Sequence, residues 1–394
     1  MTPTTTLILG GGFGGIAAAN ALRGLLAAEH QIIVIDKASH FHVGAGKTWV
    51  MLGERTYEQI SQPRAALLEP GVRFVAADVL GLDLSNHTVS TAKEPLHWDY
   101  LVIALGADLN LAKVPGLAEA AHTFYTVEGA QRLRAVLERF SGGDLAILIP
   151  KVPFKCPPAP YEAAMLLHYA FGRRGLADKV RIAIHTAEGA PMATAGPEMG
   201  QYIKGELAQR GIGFHPQQTT ARVDGAAQRI VFENGGDARY DLLIAIPPHE
   251  APKVVRDAQL TNPSGWIPVD PQTLQVKTPS GAGELYAVGD VTTVPLPGRF
   301  KPDLALSLPK AGVFAEAQGR VVAHQIAAKI LARAPSEVFD GKGYCYLETG
   351  GERAVRGDGS FFALPHPVMA KRSPDEAQFR DKLDWVAGHL RPIR

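Results

Sequence analysis

Residues 6–22 read TLILGGGFGGIAAANAL, and the fold turns on them. Thr6 to Leu9 has the aliphatic character of a short buried strand, and the small residues after Gly15 suit a closely packed helix. Between them Gly10, Gly12 and Gly15 fit the pattern G-x-G-x-x-G, with Gly14 in the same loop. In that spacing the first glycine makes the tight turn. The second lets backbone N–H groups approach a pyrophosphate, and the third lets helix and strand touch. The helix N-terminus then faces the negative charge. Alone the motif is weak. It gains weight from the next apolar run, HQIIVID, which ends at Asp36 about 21 residues beyond Gly15, where an acid that binds a ribose hydroxyl is expected.

The chain has 394 residues, too many for one ordinary core, so two or three domains are expected. It is 46% hydrophobic and 20% charged, the balance of a soluble globular protein with no long disorder. A formal net charge of +1 gives no footprint for nucleic acid as a partner. There is no CxxC pair, HExxH motif, basic tract or internal repeat, and no metal site is expected. Apolar runs such as DLLIAIPP are far too short to span a bilayer. The N-terminus, MTPTTT, enters a strand without a basic or apolar leader, which points to the cytoplasm if Met1 is the natural start.

The glycine loop does not separate FAD from NAD; a remote motif does. GELYAVGDVT (283–292) is a strand ending in Gly289-Asp290. Late in many flavoproteins with two dinucleotide domains, such a strand places its aspartate on the flavin ribityl or pyrophosphate. WDYLVIALGA and YDLLIAIPP are strands that close domains of this kind, with Ala104 and Gly106 where those flavoproteins carry Ala-Thr-Gly. The expected fold is therefore α/β with two Rossmann-like domains. The FAD domain, 1–115 and 267–332, is split by the second, 116–266, and a C-terminal region, 333–394, carries the second cysteine and a short tail helix.

The second domain has its own strand, turn and helix in LAILIPKVPFKCPPAPYEAA (145–164). Its turn has no glycine to admit a pyrophosphate, and its prolines lack N–H donors, so no phosphate cradle can form. The following strand, VRIAIHTAE, ends in an acid, Glu188, but NAD(P)H is not expected to bind.

KCPPAPYEAA, LPKAGVFAEAQGRVVA and YCYLETG, with the split FAD motifs, resemble the sulfide:quinone oxidoreductases and the flavoprotein subunit of flavocytochrome c sulfide dehydrogenase, from the first strand to about Phe362. The resemblance implies that Cys156 and Cys345 meet beside the flavin as a disulfide or sulfur-bridged pair. Hydrosulfide would open that pair and leave a persulfide. The Cys345 thiolate would attack the flavin at C4a, and two electrons would pass to FAD and onward. A helix start after Cys156, with Lys151 and Lys155 flanking it, predicts a low-pKa thiolate there. The resemblance makes Glu162 a proton acceptor for incoming sulfide; a helix-N-terminal acid placed for the dipole is the alternative. Lys310, before a helix expected over 311–331, would stabilise negative charge on the reduced flavin. Lys47, in HFHVGAGKTWVMLGE, is a further candidate cofactor contact, and Trp49 is expected to pack around the cofactor.

The chain also departs from the family. Tyr125 stands where many quinone-linked members carry a third cysteine, and no cysteine lies near the first crossover to attach FAD, so noncovalent FAD is expected. The tail, 371–394, starts a helix with Ser373 as N-cap and Pro374 at N1. Phe379, Leu383, Val386 and Leu390 form an apolar stripe that either lies on a membrane surface or docks on the protein body. Quinone is the expected acceptor. A cytochrome c acceptor, an NADH:quinone reductase and a flavin-binding protein without turnover are the alternatives. Peripheral membrane contact and a homodimer stay open.

Overall fold

The computed structural model describes residues 2–277 and 284–393; Met1, on which the expected location leaned, lies outside them. The chain begins β1 (Thr5–Leu9), α1 (Phe13–Leu25), β2 (Gln31–Asp36) and a short α2 (Lys47–Leu52). β3 (Val72–Ala76) and β4 (Tyr100–Ile103) follow. Leu7, Ile8 and Leu9 of β1 are fully buried, each contributing about 1.5–3 kcal/mol relative to exposure. Such a strand is covered on both faces and reads as a continuous apolar run, as parallel sheets require.

A second unit comprises β5 (Gly143–Ile149), α3 (Ala159–Arg173), β6 (Val180–Thr186), β7 (Gly213–His215) and β8 (Leu242–Ala245). The chain then returns through β9 (Leu285–Ala287) and α4 (Gly312–Ile330). It ends in β10 (Lys342–Glu348), β11 (Ala354–Ser360), β12 (Val368–Lys371) and α5 (Glu376–His389).

Among the described residues the first sheet has the order β9-β4-β1-β2-β3, with every neighbouring pair parallel. The second has the order β7-β6-β5-β8, again all parallel. Both are Rossmann-like, as expected of the fold class. Of the smaller sheets, one is the antiparallel meander β10-β11-β12. We propose the division that the sequence suggests, 1–115 with 267–332, 116–266, and 333–394, because each piece carries one of these sheets.

In open parallel sheets ligands bind beyond the carboxyl ends of the strands, where the strand order reverses. β1 runs out at Gly10, β4 toward Gly106 and β9 toward Gly289, so one edge of the sheet gathers all three turns. α4 packs along α1 at a crossing of glycines. A Cβ on Gly319 would lie 2.2 Å from the Gly14 carbonyl oxygen.

The tail differs from expectation at its start. α5 is capped by Asp375, whose carboxylate accepts the Gln378 N–H at 2.8 Å, while Ser373 is exposed ahead of it. The tail docks on the body: Lys382 and Val386 are buried, and Asp381 accepts from Tyr346 Oη at 2.9 Å. No helix among the described residues is long and apolar enough to cross a membrane.

Candidate active site

The phosphate loop has the geometry its glycines predict. Gly10 takes a φ of +100°, and a Cβ on Gly15 would stand 1.8 Å from the Gly10 carbonyl oxygen, so helix and turn meet only through glycine. At Gly12 a Cβ would meet nothing within 4 Å. Gly12 is also the N-cap of α1 and offers no side chain to its first N–H groups. Open space in front of unclaimed helix donors is the arrangement a pyrophosphate needs, so the residues present fit FAD.

From Gly12 and Gly14 a cavity of ≈ 350 Å³ runs past Ala104, Gly106, Gly289, Asp290 and Lys310 to Lys47, Glu162, Cys156 and Cys345. Gly10, Gly15 and Asp36 stand behind that wall. Asp36 accepts the Gly11 N–H at 2.8 Å and pairs with Arg64 at 3.3 Å, so its carboxylate ties the loop to the end of β2. Arg64 itself lines the cavity and donates to the Gly11 carbonyl at 2.7 Å.

The turn after β5 is occupied otherwise than by a nucleotide. Lys155 forms a parallel bridge with Lys310, and the Cys156 N–H donates to the Lys310 carbonyl at 2.8 Å. This clamp sets Cys156 against the start of α4. Glu188, in the place of a ribose acid, accepts the Tyr161 hydroxyl at 2.5 Å and the Thr186 hydroxyl at 3.2 Å.

Cys345 comes from β10, opposite Gly357 of β11. Both cysteines are free thiols, partly open to the cavity. The expected low-pKa thiolate at Cys156 does not hold. Burial first and Glu162 second push it up to about 11, against the pull of Lys382 and Lys47. α3 starts only at Ala159, and its dipole does not outweigh that desolvation. Burial and then Cys156 push Cys345 up to about 12.

Four lysines, Lys47, Lys155, Lys310 and Lys382, line the cavity. Burial, then Lys155, brings Lys47 down to about 7; its Nζ donates to the Tyr125 carbonyl at 2.6 Å. Burial lowers Lys310 to about 8 against Asp290. Lys310 Nζ donates to the Asp290 and Thr292 carbonyls at 2.6 and 2.9 Å and lies 3.5 Å from the Trp266 ring centre. Lys155 lines the same wall.

Several site residues escaped the sequence reading. Lys382 of α5 pairs with Glu162 and Glu348, and Trp385 of the same helix lines the cavity and stacks on Phe13 at 5.6 Å. A signal for Lys382 existed: it falls three residues after Phe379 and four before Val386, on the apolar face of the helix. Arg64 carried no signal. Trp49 is a correction. It does not line the cavity; it packs in the core around the second sheet, and its indole N–H donates to Glu348 at 2.9 Å.

Residues 4–148 match the family model described as pyridine nucleotide-disulphide oxidoreductase. Residues 130–247 match the model described as sulfide dehydrogenase (flavocytochrome c) flavoprotein chain, central. The mitochondrial sulfide:quinone oxidoreductase of Mus musculus is 25% identical over 373 residues, covering 91% of this chain and 78% of that protein. The sulfide-quinone reductase of Aquifex aeolicus is 26% identical over 340 residues, covering 81% and 75%. The crystal structure of the Aquifex aeolicus sulfide:quinone oxidoreductase superposes with a TM-score of 0.85 at 23% identity, covering 98% of this chain and 90% of that one, which shows a shared fold. The chain is thus an FAD-dependent oxidoreductase, similar over most of its length to the sulfide:quinone oxidoreductases and over residues 130–247 to the central part of the flavocytochrome c sulfide dehydrogenase flavoprotein chain.

Proposed function

We propose that this enzyme oxidises sulfide to sulfane sulfur or polysulfide at Cys156 and Cys345, with the electrons leaving through noncovalent FAD to a quinone. One observation carries the reading: two thiols, one from the turn after β5 and one from β10, share a cavity wall with the phosphate loop. The names of the mouse and Aquifex relatives support the substrate and the acceptor.

FAD, when bound, takes the electron pair and hands it to the acceptor. Gly12 and the N-terminus of α1 would hold its pyrophosphate, and Asp290 and Lys310 would border it farther in. Glu162 takes the proton of arriving hydrogen sulfide, and the lysines on the cavity wall favour the hydrosulfide anion. Hydrosulfide adds to one sulfur of the oxidised cysteine pair. The bond between the cysteines breaks, leaving a persulfide on one and a thiolate on the other. A second sulfur nucleophile, hydrosulfide itself when polysulfide forms, removes the outer sulfur. Re-forming the bond between the two thiolates then releases two electrons. Both thiols have raised pKa values, which makes each thiolate a strong nucleophile once formed.

The test is anaerobic. Sulfide should bleach the flavin band rapidly and NADH should not, since the turn after β5 offers no phosphate cradle. Cys156→Ser and Cys345→Ser should each retain FAD and lose the sulfide response, and the double variant should be no worse than either. Bleaching by NADH with none by sulfide would place the protein among NADH:quinone reductases instead.

A further inference from the structure

Glu162, Glu348 and Lys382 come from α3, β10 and α5 and meet inside the protein, 4%, 3% and 1% exposed. Lys382 Nζ lies 3.2 Å from each Glu162 carboxylate oxygen and also contacts Glu348 Oε1. Glu162 Oε2 accepts the Glu348 backbone N–H at 3.0 Å, and the Thr48 hydroxyl reaches Oε1 at 3.4 Å. The Trp49 indole N–H is spent on Glu348. Two buried carboxylates therefore share one ammonium. A buried charge without a partner is expensive, and one proton on a carboxylate brings the group to neutrality.

Glu162 is the carboxylate that can exchange that proton, because it lines the cavity with Lys382 whereas Glu348 does not. Burial raises its pKa, Lys382 draws it down and Glu348 pushes it up again. The titratable and charged groups around it are Lys47 from α2, Tyr125, Cys156 ahead of α3, Cys345 and Glu348 from β10, Lys382 from α5, and Glu54, which feels both Glu348 and Lys382.

We propose that Lys382 and Glu348 are positioning residues that set the proton affinity of Glu162 in opposite senses. Lys382 keeps it low enough to accept a proton from incoming sulfide, and Glu348 keeps it high enough to hold that proton. The inference rests on the sulfide reading only for the identity of the proton donor. The step is a plain transfer: hydrogen sulfide gives its proton to a Glu162 oxygen and remains as hydrosulfide. The resulting carboxylic acid leaves the Lys382–Glu348 pair electrically balanced. Each carboxylate also shares an element or its leading turn with a cysteine, Glu162 with Cys156 and Glu348 with Cys345, so the same elements hold the proton site and both sulfurs.

Infrared titration of the holoprotein tests this without turnover. The carboxylic acid stretch lost in Glu162→Gln assigns the band. Its midpoint should rise by about one pH unit in Lys382→Met, a tenfold change in proton affinity. It should fall by a similar amount in Glu348→Gln and return toward the parent value in Lys382→Arg. Shifts in the same direction, or none, overturn the proposal. If Lys382→Met does not fold, Glu348→Gln decides alone, and a midpoint unmoved or raised there overturns it. In stopped-flow reduction by sulfide, the acid limb of the rate should follow the same displacements. Should sulfide leave the parent flavin oxidised, the sulfide reading falls while the infrared arm still decides the two roles.

Discussion

Cys156 holds a left-handed backbone, φ 55°, that suits glycine and costs another residue about 1–3 kcal/mol. Its N–H bond to Lys310 and its carbonyl bond from Ala159 at 2.9 Å lock that conformation in place. Under the proposed function, strain kept at this side chain is a stability cost borne for its chemistry. Cys156→Gly should therefore resist urea better than Cys156→Ser by about 1 kcal/mol, while neither variant reduces flavin with sulfide. A glycine variant less stable than the serine variant would show that no strain is stored there. At this scale the sequence is legible where the constraint is local. Gly10, Gly12 and Gly15 reveal themselves because they fall at a fixed spacing within one short loop, even though the atoms that crowd Gly10 belong to Ala104. Arg64 does not, because its partner Asp36 lies far away along the chain, and the periodicity that places Lys382 on the apolar face of its helix does not name its partners Glu162 and Glu348. The same locality misled the reading of Cys156: the helix start was visible, but the burial that raises its pKa was not.

Among the elements, α5 shows how a correct pattern can leave its purpose open. The apolar stripe predicts the helix, yet periodicity does not say whether membrane or protein covers the stripe. The structure covers it with protein, through Val386 in the core and Trp385 against Phe13. The cap is the sharper test. Asp375→Ala should cost about 1 kcal/mol in chemical denaturation, because its carboxylate holds the Gln378 N–H. Ser373→Ala should stay within about 0.5 kcal/mol; the reverse ranking would restore the serine cap that the sequence suggests. The proline-rich turn is a similar case. Its composition told what it could not do, cradle a phosphate, but not that it bridges to Lys310.

At the level of the whole molecule, the cavity is walled by residues from the two parallel sheets and the antiparallel meander, or the turns that leave them, and roofed by the tail helix. Both parallel sheets could be expected from motif order, since βαβ units declare themselves through strand, loop and helix in sequence. The roof could not, because it depends on how a mixed-charge helix packs after the last strand. FAD lodged among these parts should tie them together. Heat or acid should release yellow flavin into the supernatant, and colour retained by the precipitated chain would refute noncovalent binding. The flavin-free protein should melt at a lower temperature, and FAD at a hundred times its Kd should restore about 2.7 kcal/mol; equal melting with and without FAD would mean that the cofactor does not bind the native cavity. The position of Lys382 and Trp385 so late in the chain has a consequence for biosynthesis. In chain order, both parallel sheets and both cysteines come before the helix that roofs them. The floor of the cavity thus precedes its roof in synthesis, and a chain halted before α5 would present the cavity without Lys382 and Trp385.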